Sequence, residues 1–147
     1  MNIILKEYTE EHVCLFYEKT NNEEVMKWMY RPRTTLQDAL DEWNRFSGFR
    51  NAIYVDGIYV GDIWLRDQLL GCCIFDMSYW NRGVASRALS MFLCKYDLSK
   101  VGAFVYAENI GSRKVLEKLD FKCVHRFEEK GRWAFFYRWE RENGSEN

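Results

Sequence analysis

A strand-to-helix junction at residues 74–88, read as IFDMSYWNRGVASRA, is the part of this chain whose residue types and spacing point most clearly to chemistry. An apolar strand enters a short loop containing Gly83, and an amphipathic helix begins at once. The first turn of a helix has backbone N–H groups without partners and a partial positive charge, so it can bind an anion such as a phosphate. Gly83 lets the loop bend tightly, and Arg82 adds a cation. The junction therefore predicts an anion site, although many similar junctions with a glycine bind nothing.

Two common phosphate-binding motifs are absent from the sequence. The dinucleotide fingerprint GxGxxG fails because Ala85 and Ala88 stand where later glycines are required. The phosphate loop GxxxxGK[ST] occurs nowhere in the chain. These absences argue against a Rossmann-type cofactor site and against nucleotide hydrolysis.

The size and charge of the chain narrow the function classes further. The 147 residues fit one domain, and the formal charge of -1 gives no basic field for nucleic acid. No apolar run approaches the ~20 residues of a membrane span, and the N-terminus lacks the pattern of a signal peptide. We therefore expect a cytoplasmic protein that binds neither nucleic acid nor membrane.

The cysteines and histidines do not predict a metal site or a disulfide framework. The five cysteines are an odd number without CxxC spacing, so buried, reduced thiols are expected. A catalytic cysteine would need a nearby histidine, and only His12 and His125 are available. The cysteines are Cys14, Cys72, Cys73, Cys94 and Cys123.

The elements that must position the junction form a mixed α/β pattern. A strand and three helices precede an antiparallel meander, and a strand–helix–strand–helix–hairpin unit follows. Strands are predicted at 2–7, 52–55, 58–65, 69–77, 101–106, 121–127 and 133–139. Helices are predicted at 10–20, 22–28, from Thr34 or Thr35 to Gly48, 83–96 and from Asn109. The last strand places Trp133, Phe135, Tyr137 and Trp139 on one face, which could hold a homodimer.

This order of elements resembles the GCN5-related N-acetyltransferase (GNAT) fold, a mostly antiparallel sheet with splayed parallel strands four and five, flanked by helices. The family motif [RQ]xxGx[GA] falls on residues 80–85, where Gly83 and Ala85 match and Trp80 replaces the usual Arg or Gln. YWNRGVAS is similar to YWGKGxAT of the RimJ/RimL-like branch, which acetylates ribosomal-protein N-termini and related small amines. Residues 109–121, NIGSRKVLEKLDF, resemble the family's NxxSxxxLEKLGF. The resemblance implies one domain over residues 1–141, and the polar composition of residues 142–147 predicts a disordered tail.

The resemblance implies acetyl-CoA as the donor. Its pyrophosphate would lie on the backbone amides of Arg82, Gly83, Val84, Ala85 and Ser86. Its pantetheine arm would pair with the fourth strand at Ile74, Phe75, Asp76 and Met77. A backbone N–H of Ile74 or Phe75 would donate to the thioester carbonyl. Asn109 would contact the arm as well as cap the next helix.

The resemblance also suggests catalytic groups. In the ribosomal-protein branch, a serine at the position of Ser112 is a proposed proton donor to the departing thiolate. Many family members use a tyrosine four residues later, but this chain has Leu116 there, so Ser112, Tyr106 or water must serve. The candidate bases are weakly marked, and each is more often a solvated carboxylate. They are Asp76, Glu128, Glu129 and Asp62.

The acceptor is an amine whose identity stays open, between a small molecule, an antibiotic and a protein N-terminus. Trp28, Tyr30, Arg31 and Trp43 could line its site, or lie in the core or on the surface. Leu116 and Trp80 favour a second hypothesis, a non-catalytic acyl-CoA-binding or regulatory domain. A third is an interaction module that uses the aromatic hairpin.

Overall fold

The computed structural model describes residues 1–29 and 33–142, which form one sheet flanked by helices. The strands are Ile3–Glu7 (β1), Phe49–Val55 (β2), Ile58–Arg66 (β3), Leu69–Ile74 (β4), Lys100–Tyr106 (β5), Lys122–Glu129 (β6) and Arg132–Glu140 (β7). The helices are Glu10–Lys19 (α1), Glu23–Met26 (α2), Leu36–Asn44 (α3), Val84–Lys95 (α4) and Ile110–Lys118 (α5). The predictions made for Tyr30, Arg31 and residues 143–147 concern positions outside the described residues.

The sheet has the order β1-β2-β3-β4-β5-β7-β6, and every neighbouring pair except β4 and β5 is antiparallel. Successive side chains of β2 point to opposite faces of the sheet, and a separate apolar core lies on each face. Ile53 and Val55 pack in the cluster that includes residues of α4 and α5, whereas Ala52 and Tyr54 pack with residues of α1 and α3. The predicted mixed α/β architecture is confirmed.

β4 and β5 separate toward their carboxyl ends. Their register contains one residue pair, Leu69 with Gly102, and Gly102 N–H donates to Gln68 O at 2.9 Å. Beyond that point β4 pairs with β3, and β5 pairs with β7. The sheet is therefore split by a wedge, here called the gap, which opens between Ile74 and Tyr106.

β4 ends three residues earlier than the sequence pattern predicts. Phe75 N–H and Asp76 N–H both donate to Val60 O, at 3.0 and 3.3 Å, so two residues oppose one as in a β-bulge. The Asp76 carboxylate then caps a 3₁₀ turn, Met77–Tyr79, by accepting from Ser78 N–H at 3.1 Å. The predicted strand to residue 77 is wrong because this cap and the bulge turn the chain out of the sheet.

The aromatic face predicted for dimerisation is largely buried within the chain. Tyr137 is 1% exposed and lies in the core that contains residues of α4 and α5, and Phe135 and Trp139 pack against that core. The opposite face of β7 carries Phe136, whose ring lies 4.8 Å from that of Phe104. The alternation of side chains along β7 was predicted correctly, but the face that carries the larger number of aromatic residues is covered by α5.

Candidate active site

The loop before α4 presents backbone donors as the junction predicts. Gly83 is the N-cap of the helix, with φ of 80°, and the helix hydrogen bonds begin from Arg87 N–H to Gly83 O at 3.1 Å. The amides of residues 84–86 precede that bond, so they have no acceptor within the helix. With the partial positive charge of the helix end, these donors can bind an anion, and residues 82–86 are here called the anion cradle.

Arg82 lies at the rim of the anion cradle. Its guanidinium carbon is 5.0 Å from the centre of the Tyr79 ring, and its Nη1 is 3.4 Å from Ser78 O. The side chain is exposed, and both contacts are weak. Arg82 can therefore turn toward an anion in the cradle at small cost.

The edge of β4 that faces the gap carries backbone polar groups. Because Phe75 N–H bonds to β3, the alternation of an antiparallel ladder directs the N–H and C=O of Ile74 and Cys72 away from β3, into the gap. Cys72 is exposed although it lies on a central strand, which indicates open space beside it. This edge can pair with an extended, amide-containing ligand.

Trp80 joins the cradle loop to that edge, a contact that sequence reasoning missed. Its indole N–H donates to Ile74 O at 2.6 Å, and its ring packs with Cys73, Phe75 and Val25 on the α1–α2 face. Sequence reasoning identified Trp80 only as a departure from the family motif. The available signal was an indole N–H donor in the loop directly before the helix.

The other side of the gap is formed by the end of β5 and the start of α5. Asn109 Oδ1 accepts from Ser112 N–H at 3.2 Å, so Asn109 is the N-cap that its position predicts. The Ser112 side chain is exposed, and within the described residues its hydroxyl makes no hydrogen bond. Leu116 is 7% exposed and faces the core. Ser112 is thus accessible, whereas the position of the family tyrosine is not.

Arg132 links three elements near Tyr106, and no local sequence pattern indicated it. Its guanidinium carbon is 3.5 Å from the centre of the Tyr106 ring. It pairs with Glu108 at 3.2 Å and donates to Lys27 O at 3.3 Å. The end of β5, the β6–β7 hairpin and the end of α2 are held together by this one side chain.

The candidate carboxylates lie at different distances from the gap. Asp76 follows the bulge of β4 and lines a cavity of about 390 Å³ with Tyr59 and Phe75. Glu128 lies on β6, which is two strand spacings, about 10 Å, from β5. Glu129 is opposite Arg132 at the hairpin end. The structure thus brings Asp76 near the Ile74 edge and leaves Glu128 on the outer strand.

Asp62 forms a buried ion pair with Arg50. The carboxylate is 0% exposed, lies 2.7 Å from Arg50 Nη2 and accepts from the Tyr59 hydroxyl. The guanidinium in turn lies over the ring of Tyr8, at 4.4 Å. Burial raises the pKa of Asp62, and the charge of Arg50 opposes that shift. This carboxylate is committed to holding β2 and β3 together beneath α1.

The predicted acceptor residues that the structure describes are not gathered at the gap. Trp43 lies in the α1–α3 cluster, with its ring 5.0 Å from that of Tyr8. Trp28 is half-buried directly after α2, where Lys27 Nζ lies 4.7 Å from its ring centre. Of the two, only Trp28 is close in sequence to the Arg132 contact.

The cysteines are free thiols, but only Cys73 is buried, so the expectation of burial is wrong for the other four. The thiol of Cys73 is buried, and desolvation raises its pKa above the usual value, which disfavours a reactive thiolate. Within residues 1–29 and 33–142, no group of three His, Cys, Asp or Glu residues could hold a metal ion. Among those same residues, no helix has the length and apolar character needed to cross a bilayer.

Comparisons with known proteins agree with this geometry. By sequence, no curated protein matches the chain. A domain from Methanocaldococcus jannaschii DSM 2661 is similar in structure, with a TM-score of 0.78 at 18% identity over 94% of this chain and 99% of that one. AAC(6')-Ib in complex with paromomycin and acetyl-CoA has a TM-score of 0.79 at 17% identity, covering 96% of this chain and 94% of that one. RimL, a ribosomal L7/L12 α-N-protein acetyltransferase solved with coenzyme A, has a TM-score of 0.78 at 14% identity, covering 95% and 94%.

These structural likenesses show the fold, and the sequence itself shows the family. The profile of the acetyltransferase (GNAT) domain matches residues 2–122, which include β1 to β5, the anion cradle and α5. The resemblance read from the two motifs is thereby confirmed. The chain belongs to the GNAT family of acetyltransferases.

Proposed function

We propose that this protein transfers the acetyl group of acetyl-CoA to a primary amine by direct attack. The observation that carries the proposal is the junction of the anion cradle with the free edge of β4 through Trp80. The pyrophosphate would bind the amides of residues 82–86, where each hydrogen bond to a charged group contributes about 1.5–3 kcal/mol. The helix end adds about 0.3–1 kcal/mol.

The pantetheine arm would lie in the gap along the β4 edge. Its amides can exchange hydrogen bonds with the N–H and C=O of Cys72, which point into the gap, whereas Ile74 O already accepts from the Trp80 indole. Of the two donors proposed for the thioester carbonyl, Phe75 N–H already bonds to Val60 O, so we assign that role to Ile74 N–H. Met77 lies in the 3₁₀ turn beyond the edge, where it can contact the arm only through its side chain.

The reaction requires a neutral amine. Its nitrogen attacks the thioester carbonyl carbon, and the C–N bond forms as the oxyanion accepts from Ile74 N–H. The C–S bond then breaks, the thiolate leaves as CoA, and Ser112 or a water molecule supplies its proton. The amine proton passes through water to a carboxylate, for which Asp76 has the best position because it lines the cavity beside Phe75.

The pKa of the acceptor decides how much help the amine needs. Keeping an alkylamine of pKa ~10.4 neutral at pH 7 costs about 4–5 kcal/mol, whereas an α-amino group of pKa ~7.7–8.0 costs about 1 kcal/mol. The Asp76 carboxylate already accepts hydrogen bonds from the N–H and the hydroxyl of Ser78, so part of its capacity as an acceptor is in use. A protein N-terminus therefore places a smaller demand on this site than a lysine-like amine, and RimL is a structural neighbour with such an acceptor.

Coenzyme binding and transfer are tested separately. Calorimetry with acetyl-CoA comes first, and an acetyl-transfer screen over small amines, aminoglycosides and N-terminal peptides follows, read by release of free CoA thiol. We expect binding and thiol release with at least one amine class. Binding without release for any amine would support the alternative, a non-catalytic acyl-CoA-binding domain. Absence of binding would overturn the proposal.

A further inference from the structure

The outer edge of β6 is unpaired within the described part of the chain. β6 ends the sheet, and its register with β7 opposes Glu129 to Arg132 and Phe127 to Ala134. The two-residue turn at Lys130 and Gly131, with φ of 52° and 77°, makes the first of these a hydrogen-bonded pair.

The alternation of the ladder then fixes which residues of β6 face outward. Phe127 and Glu129 bond to β7, so the backbone N–H and C=O groups of Arg126 and Glu128 point away from the sheet. The bond from Ala107 N–H to Trp133 O on the far side of β7 agrees with this assignment. The residues with outward backbone groups lie on either side of Phe127, which is therefore the centre of the open edge.

The side chains of this edge have an apolar centre on one face, flanked by His125 and Glu129, and an oppositely charged pair on the other face. Phe127 lies on the face that carries Phe104 and Phe136, with its ring 5.7 Å from that of Phe104, and Val124 is 54% exposed. Arg126 lies on the opposite face, where its guanidinium is 5.3 Å from the Phe135 ring. Glu128 follows two residues later and shares that face.

The order of charges along β6 is self-complementary. If a second copy of the strand runs antiparallel about a twofold axis at Phe127, residues whose numbers sum to 254 face each other. Arg126 then opposes Glu128 of the other copy, and the same pair recurs across the axis. His125 opposes Glu129 in the same way. No like charges meet among these pairs, and the two Phe127 rings meet on the axis.

The backbone pattern selects the same register. Arg126 and Glu128 are the residues with outward N–H and C=O groups, so each can exchange two hydrogen bonds with its counterpart. Phe127 falls at the non-hydrogen-bonded position, where side chains of an antiparallel pair come closest. Backbone bonding, charge order and the apolar centre therefore agree on one arrangement.

We propose that two copies of this protein pair through β6, antiparallel and centred on Phe127, so that their sheets become continuous. The partner is a second copy because the strand complements itself in both charge and backbone phase. This dimer is independent of the proposed acetyl transfer, since no group assigned to the cradle, the β4 edge or Ser112 takes part.

Charge reversals test the register. Light scattering coupled to size exclusion would measure the mass across a concentration series for the natural chain, Arg126→Glu, Glu128→Arg and the double variant. Each single reversal places like charges at both pairs, so we expect the dimer dissociation constant to rise by at least about tenfold. The double variant restores opposite charges and should dimerise as the natural chain does. An equimolar mixture of the two single variants should form a heterodimer.

Lys114→Glu is the matched control, because Lys114 is an exposed basic residue on α5, away from β6. It should leave the mass unchanged, and thermal unfolding should show that all variants stay folded. Three results would each overturn the proposal. They are a natural chain that is monomeric throughout the series, single variants that dimerise normally, and a double variant that fails to recover.

Discussion

At the scale of single residues, Trp80 connects the loop that carries the anion cradle to the edge of β4. Its indole N–H satisfies Ile74 O at 2.6 Å, while the next peptide N–H, that of Phe75, is held by Val60 O. Hydrogen bonds on both sides of β4 therefore fix the orientation of the peptide group that joins Ile74 to Phe75. This arrangement keeps the Ile74 N–H directed into the gap, where the proposed oxyanion would form.

The substitution Trp80→Phe keeps an aromatic ring but removes this donor. We expect it to lower the free energy of unfolding by about 1 kcal/mol, because a half-buried carbonyl loses its partner. The turnover number should fall, with the acetyl-CoA dissociation constant nearly unchanged. Trp133→Phe is the control, since that side chain is 57% exposed, and its effect should stay within about 0.5 kcal/mol. Equal effects from both variants in urea unfolding would contradict this role.

Two glycines have similar backbone angles, so comparing the same substitution at both separates an effect on the anion cradle from an effect of backbone strain. Gly83 has φ of 80° and Gly131 has φ of 77°, and a Cβ at either would meet nothing within 4 Å. Alanine should therefore cost about 1–2 kcal/mol of stability at each position. Only Gly83→Ala should weaken acetyl-CoA binding, by at least about tenfold, because the ligand approaches the backbone there. Calorimetry on both variants checks this, and equal affinities would argue against the cradle.

At the scale of elements, His12 fixes the start of α1 through one tautomer. Thr9 N–H donates to His12 Nδ1 at 3.1 Å, so that nitrogen carries no proton, and Nε2–H donates to the Tyr54 hydroxyl at 2.9 Å. Burial lowers the pKa of His12 below its usual value. Protonation would break the bond that caps the helix.

The sign of the resulting pH dependence follows from linkage. Below the unfolded-state pKa of about 6.5, the unfolded chain binds more protons at this site than the folded one. The contribution of His12 is complete above that pH and is lost as the pH falls through the lower folded-state pKa. His12→Gln keeps a side-chain acceptor at the third helical position but does not titrate. Urea unfolding from about pH 7.5 to about pH 5 should show a smaller loss of stability in the variant; an equal loss would exclude His12 as the cause.

The elements differ in how far the sequence could predict them. The helix α4, its glycine cap and the Asn109 cap follow from local residue types, and the structure has them. The end of β4 was misplaced because the bulge depends on Val60, which belongs to another strand. Arg132 reaches Lys27 across a long separation in sequence, and no local pattern marks such a contact. Arg50 on β2 and Asp62 on β3 point to the same face of the sheet, so the alternation of the two strands could have predicted a buried ion pair.

At the scale of the whole molecule, the sheet consists of two parts that share a narrow connection. β1 to β4 form one ladder and β5 to β7 another, and Leu69 with Gly102 is the single residue pair in the register that joins them. α4 and α5 pack against each other on one face, and Arg132 connects the two parts near the open end of the gap. An extended ligand in the gap would act as an additional strand between the two ladders.

Hydrogen exchange of individual amides should report whether the gap is filled in this way. The amides of Cys72 and Ile74 point into the gap, so they should exchange fast in the free protein and slow strongly with saturating acetyl-CoA. The Phe75 amide bonds to Val60 O in the free protein, so it should be slow in both states and serves as the internal reference. Amides of residues 84–86 should slow together with Cys72 and Ile74, since one ligand spans both regions. Protection at residues 84–86 without protection at Cys72 and Ile74 would mean that the pyrophosphate binds while the arm lies elsewhere, and the reaction could not then take place at the Ile74 edge.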